Sequence, residues 1–178
     1  LEMRKEIFGS SHLSVATSLN FLAVFYKNQG QYREAETLYK EVLEMKKEIL
    51  GSSHPYIAAS LHNLAVFYDN QGQYKEAENL YKEALEMNKE IFGSSHPYIA
   101  TTLNSLAIFY GEQKRYEDAE TLYKEALEMR RETFGSSHPS VAESLNNLAI
   151  FYGEQERYEE AETLYKEALE MRREILGS

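Results

Sequence analysis

Four histidines stand 42 residues apart, His12, His54, His96 and His138, each directly after two serines and the last three directly before proline. Serine beside histidine invites nucleophilic catalysis, and histidines in register invite a metal. Neither reading holds. A serine–histidine pair needs a third group to orient the imidazole, and none accompanies these. Zinc holds its nitrogen ligands at about 2.0–2.1 Å, whereas equivalent points on neighbouring packed helices lie about 8–10 Å apart. The histidines therefore read as helix-start residues ahead of proline, with His62 standing apart. Carboxylates are abundant, but a paired-carboxylate hydrolase needs one acid whose pKa is raised in a pocket. Nothing marks such an acid. Glu159, Glu160 and Glu162, with Lys166 four residues beyond Glu162, read as a solvated helix face with ion pairs. Cysteine is absent, which excludes disulfides, thiolate metal sites and a cysteine nucleophile. The expectation is a protein without catalytic residues, metal or cofactor, and not an enzyme.

Charge narrows the partners. Nineteen basic against twenty-nine acidic side chains leave a net charge of −10, which opposes nucleic acid and anionic lipid alike. The apolar runs, such as Leu64 to Tyr68, fall far short of the ~20 residues of a membrane helix. No basic, apolar leader is visible, so the expected location is cytoplasmic. An apolar share of 43% with 27% charged residues argues against disorder.

The elements that position these residues follow from a repeat of 42 residues. Gly-Ser-Ser-His recurs at Gly9, Gly51, Gly93 and Gly135, and Leu-Glu-Met at Leu43, Leu85, Leu127 and Leu169. Between the last two copies, 32 of 41 aligned residues are identical. The chain divides into a single array: the tail helix of a preceding repeat over 1–11, then repeats over 12–53, 54–95, 96–137 and 138–178. Within the second repeat, Pro55 suits a first helical turn. Ile57, Ala58, Leu61, Leu64, Ala65 and Tyr68 then fall on one helical face. Gly72 is placed for a left-handed helix end, and Tyr74, Ala77, Leu80, Tyr81, Ala84 and Leu85 mark a second helix. Each repeat is thus an antiparallel helical hairpin, with helices of about 17 and 19 residues and no period-two segment. The class is all-α.

The order of small and large residues is the most specific feature. Leu61, Leu64, Ala65, Tyr68, Gly72, Tyr74, Ala77, Tyr81, Ala84 and Leu85 resemble the tetratricopeptide repeat. Alanines stand where helix backbones approach, and tyrosines fill the spaces that remain. Over the last repeat, His138-Pro139, the run Leu145 to Ala149, Tyr158 to Glu162 and Leu164 to Leu169 resemble the 42-residue repeats of kinesin light chains. There are departures. Leu13 replaces a proline and Phe21 an asparagine, while Lys114 and Glu156 replace the turn glycine. Gly111 and Gly153, three residues earlier, offer a redrawn turn.

The resemblance implies a right-handed superhelical solenoid whose concave face is lined by the first helix of each hairpin. By the family's pattern, Asn20, Val24, Lys27, His62, Val66, Asp69, Asn104, Ile108, Glu112, Asn146, Ile150 and Glu154 face that groove. Its aliphatic floor runs beside a row of amides (Asn20, Asn104, Asn146), and amides both donate to and accept from a peptide backbone. The function implied is binding of an extended peptide or protein segment. Only Lys27 is basic there, which disfavours a grip on a terminal carboxylate. Asp69, Glu112, Glu143 and Glu154 favour neutral or basic segments. The alternative is a passive scaffold, or an engineered or excised array, that self-associates head to tail through uncapped ends. Tyr158, Leu164, Tyr165 and Leu169 are built for a following repeat, and a non-closing contact of that kind gives filaments.

Overall fold

The histidines start helices. In a computed structural model describing residues 13–177, Nδ1 of His54, His96 and His138 accepts a hydrogen bond from the backbone N–H of Tyr56, Tyr98 and Ser140, at 3.1, 3.2 and 3.1 Å. Each imidazole satisfies one of the amides a helix N-terminus leaves unpaired. The following proline gives up no bond there. His12 and the tail helix expected over 1–11 lie outside the described residues.

Eight helices and no strand occur among the described residues: α1 (Leu13–Asn28), α2 (Tyr32–Leu50), α3 (Pro55–Asn70), α4 (Tyr74–Phe92), α5 (Pro97–Glu112), α6 (Tyr116–Phe134), α7 (Pro139–Glu154) and α8 (Tyr158–Leu176). First helices have 16 residues and second helices 19, close to the lengths read from the sequence. Among the described residues no helix is long and apolar enough to cross a membrane.

One turn joins the two helices of each hairpin in all four copies. Gln73 N–H donates to Tyr68 O at 2.9 Å and Gly72 N–H to Asp69 O at 2.9 Å, the paired closure of a Schellman motif. Arg115 repeats it on Tyr110 O at 2.8 Å, and Lys114 on Gly111 O at 2.9 Å. The closure requires a left-handed residue. Gly30 and Gly72 supply it at φ +76° and +71°, and Lys114 and Glu156 at +59° and +60°. The redrawn turn offered by Gly111 and Gly153 is therefore not used, and both glycines lie inside α5 and α7. The hydrogen-bonded ring fixes which position turns left-handed, whatever residue occupies it.

The described residues divide into two compact units, between Ile91 and Phe92. In the first, α1 packs on α2 and α2 on α3. Ala23, Ala35, Ala65 and Ala77 are fully buried there, and the rings of Tyr39 and Phe67 meet at 5.4 Å. In the second unit α5 packs on α6, α6 on α7 and α7 on α8. Ala107, Ala119 and Ala149 are buried, and Tyr123 meets Phe151 at 5.1 Å. Not every tyrosine fills the core. Tyr32, Tyr74, Tyr116 and Tyr158 open the second helices and are substantially exposed, because the first turn of a helix stands at the rim of the packed layer.

A polar seam crosses each unit. Lys46 donates to the buried Ser60 hydroxyl at 2.8 Å. In the second unit Arg130 reaches Ser140 O at 2.9 Å and Ser144 Oγ at 3.1 Å. A long cation late in the second helix thus finds the next hairpin's hydroxyl.

Candidate functional site

The first helices carry the residues singled out from the sequence, and each unit arranges them differently. In the first unit, Asn20 and Lys27 on α1 are half-buried, and Val24 is partly exposed beside them. On α3, His62 lies edge-on to Tyr81, with ring centroids 5.5 Å apart at 68°. Burial pushes its imidazole pKa down, so the ring is neutral at pH 7 and acts as an amide-like donor and acceptor. Val66 and Asp69 are half-buried, and burial raises the Asp69 carboxyl pKa. Asn70 turns its amide back, donating to Val66 O at 2.6 Å.

In the second unit, Asn104, Ile108 and Glu112 succeed one another at intervals of four along α5, as Asn146, Ile150 and Glu154 do along α7. Spacing of this kind keeps a stripe on one helix face. Two features depart from a simple row of amides. Asn104 Oδ1 accepts from Asn147 Nδ2 at 3.2 Å, so α7 meets the amide of α5 through Asn147 and not Asn146. Glu143, counted among the groove's acids, lies 3.4 Å from the Arg130 guanidinium, which offsets its charge.

What the fold brings together is a cleft of about 280 Å³ between α5 and α7, lined by Ile108, Glu112, Ile150 and Glu154. Ile108 and Ile150 are 44% and 49% exposed there. Three further contributors, Tyr123, Phe151 and Asn147, were not among the residues read from the sequence. Tyr123 belongs to a tyrosine column that reads as core, and it is indeed only 6% exposed. Burial, aided by the charges of Glu154 and Glu112, pushes its hydroxyl up to about 12. The signal that could have found it is Gly111, in the column where the first unit carries Lys27. A Cβ at Gly111 would lie 3.6 Å from Phe151 Cδ2 and Cε2, so glycine leaves that ring edge uncovered. Among the described residues no three histidine, aspartate or glutamate side chains gather as a metal site would require.

Two models of the tetratricopeptide repeat match the sequence, one over residues 1–48, 14–90 and 98–174, the other over 62–133. The chain belongs to the tetratricopeptide repeat family. No curated protein sequence matches it. Among solved structures, BtubC (BKLC) from P. vanneervenii shares the tetratricopeptide fold at a TM-score of 0.76 and 23% identity, over 92% of this chain. This chain spans 65% of that one. The kinesin light chain-like repeats of Podosopora anserina superpose with a TM-score of 0.77 and 28% identity, covering 99% of this chain and 84% of theirs. MamA shares the fold at a TM-score of 0.61 and 14% identity, over 99% of this chain and 86% of its own. The tetratricopeptide hairpins thus form an all-α repeat array of the kinesin light chain-like type, a general protein-interaction and scaffold module.

Proposed function

We propose that this protein binds an extended peptide or protein segment along the first helices of its hairpins, without catalysis. The observation that carries the reading is the pairing of exposed Ile108 and Ile150 with half-buried amides and exposed carboxylates on the same helices. A packed interior has no use for isoleucines left in water, whereas an extended segment gains from an apolar floor edged with hydrogen-bonding groups. Glu112 and Glu154 favour neutral or basic segments over acidic ones. The test is selection from a random peptide display library, followed by affinity measurement on Asn104→Ala and Asn146→Ala proteins. Each substitution is expected to weaken the selected peptides by about 1 kcal/mol, the usual worth of one lost hydrogen bond. Unchanged affinity removes the assignment.

A second reading, self-association, is favoured by the outer face of α8. Tyr158, Tyr165 and Leu169 are 66%, 44% and 50% exposed, whereas Leu127, the counterpart of Leu169 one hairpin earlier, is 5% exposed. Light scattering across a hundredfold range of concentration is expected to show mass growth that Leu169→Glu abolishes. A constant monomer mass overturns this reading.

A further inference from the structure

We propose that the cleft between α5 and α7 is a socket for one basic side chain, the lysine or arginine of an extended partner segment, its charged head between Glu112 and Glu154 above the Tyr123 hydroxyl. The proposal rests on the reading that such a segment lies along the first helices, and it names the residue type recognised there. Several observations converge on it. The Tyr123 hydroxyl has no hydrogen-bond partner among the described residues although the residue is 94% buried, that is, 6% exposed. Among the described residues no fully buried side-chain nitrogen or oxygen lacks a partner, so this oxygen reaches the cleft and offers an acceptor to whatever enters.

The walls have the chemistry of a long cation's stem. Ile108, Ile150 and Phe151 are apolar, and lysine and arginine bury their methylenes against such surfaces while the head seeks charge. The charge lies at the rim. Glu112 and Glu154 both line the cleft, both act on the Tyr123 hydroxyl, and Glu154 has no ion-pair partner among the described residues. Its volume, about 280 Å³, stands at the lower edge of the roughly 300–1,000 Å³ of small-molecule sites and accommodates one long side chain. A calcium or magnesium ion is ill served by apolar walls, because it demands six or more oxygens.

The first unit supplies the internal comparison. At the positions of Gly111, Glu112 and Glu154 it has Lys27, Asn28 and Asn70, with Tyr39 in place of Tyr123. There the chain carries its own cation, Lys27, with Asp69 next in the same column, and amides where the second unit has Glu112 and Glu154. In the second unit the cation is deleted to glycine and both amides become glutamates.

The experiment is an amide-resolved NMR titration of the whole chain with two blocked seven-residue glycine–serine peptides, one with a central arginine, the other with a central glutamine. The arginine peptide is expected to shift amides over 108–112 and 147–154 saturably. It should bind about tenfold more weakly to the Glu112→Gln/Glu154→Gln protein, as loss of charge-assisted hydrogen bonds predicts. Gly111→Lys, which installs the first unit's residue, should weaken it similarly. Both glutamates are exposed, and circular dichroism melts check that the variants fold. Equal binding of the arginine peptide to the double variant, or shifts confined to residues outside the cleft, overturns the socket. If both peptides perturb the first helices of both units equally, groove binding stands and the socket falls. If neither perturbs any first helix at millimolar concentration, both fall.

Discussion

At the scale of single residues, Lys114 and Glu156 are the clearest sites of local conflict. Both hold φ near +60°, where an L-residue with a Cβ is strained by roughly 1–2 kcal/mol. Glycine at these positions relieves that strain but gains about 0.5–1 kcal/mol of unfolded-chain freedom, so the two effects partly cancel. Lys114→Gly is expected to raise the thermal midpoint by about 1–3 °C, given that 1 kcal/mol moves a chain of this size by about 2–4 °C. Gly72→Ala supplies the reverse experiment. Nothing lies within 4 Å of the added Cβ, so its expected loss of about 1 kcal/mol is purely a backbone effect. Calorimetry on both variants checks the pair. A Lys114→Gly protein less stable than the parent would show that the lysine side chain makes contacts worth more than the strain. The histidine caps belong to this scale too, since imidazole at a helix start is a local hydrogen bond and asks nothing of the rest of the chain.

At the scale of elements, hairpins are tied by more than apolar packing. Glu120 on α6 accepts from the Tyr152 hydroxyl at 2.9 Å, from Lys124 at 2.7 Å and from Arg157 at 2.6 Å. The Arg157 guanidinium also lies 3.9 Å over the Tyr152 ring. The hydrogen bond from Arg157, with help from Lys124 and Tyr152, holds the Glu120 carboxyl at about 2, below the ordinary 4.5. A carboxylate whose folded pKa is depressed stabilises the fold fully above its unfolded value and loses that contribution as pH falls through the folded value. The Glu120 clasp is therefore complete above about pH 4.5 and is lost on the way to about pH 2. Urea titrations are expected to show Glu120→Gln less stable than the parent by about 1 kcal/mol at pH 7, with the gap closing between pH 4.5 and 2. Glu36 makes the corresponding bonds to Tyr68 and Lys40, but Gln73 stands in the place of Arg157. Glu36→Gln should cost less. An equal cost in both hairpins would remove Arg157 from the account.

At the scale of the whole molecule, the excess of ten negative charges sets the response to salt. Fully exposed helix-surface ion pairs such as Lys166–Glu162 at 2.7 Å are screened by solvent and contribute little, while net charge acts as diffuse self-repulsion. Raising salt from 0.01 to 0.1 M shortens the screening length from about 30 to about 10 Å. The thermal midpoint is expected to rise by a few degrees over that interval. A fall would show that the ion pairs outweigh the repulsion.

Much of this protein was legible because its information is periodic. The hairpin, its caps and its turn are built from contacts within a few residues, so 42-residue spacing, the alanine columns and the histidine–proline starts determined them directly. The ion pair of Glu162 with Lys166 is local for the same reason. The left-handed turn at Lys114 and Glu156 was half legible: the position was visible, but Gly111 and Gly153 drew attention away from a ring of hydrogen bonds closed by backbone alone. The first-helix columns were legible as a repeat along the chain, whereas the contacts their side chains make were not. Asn104 meeting Asn147, Arg130 offsetting Glu143, and Tyr123 serving both core and cleft all depend on how far one helix stands from the next. Such distances are set by the packing of side chains remote in sequence, and no spacing along the chain encodes them until the helices are in place.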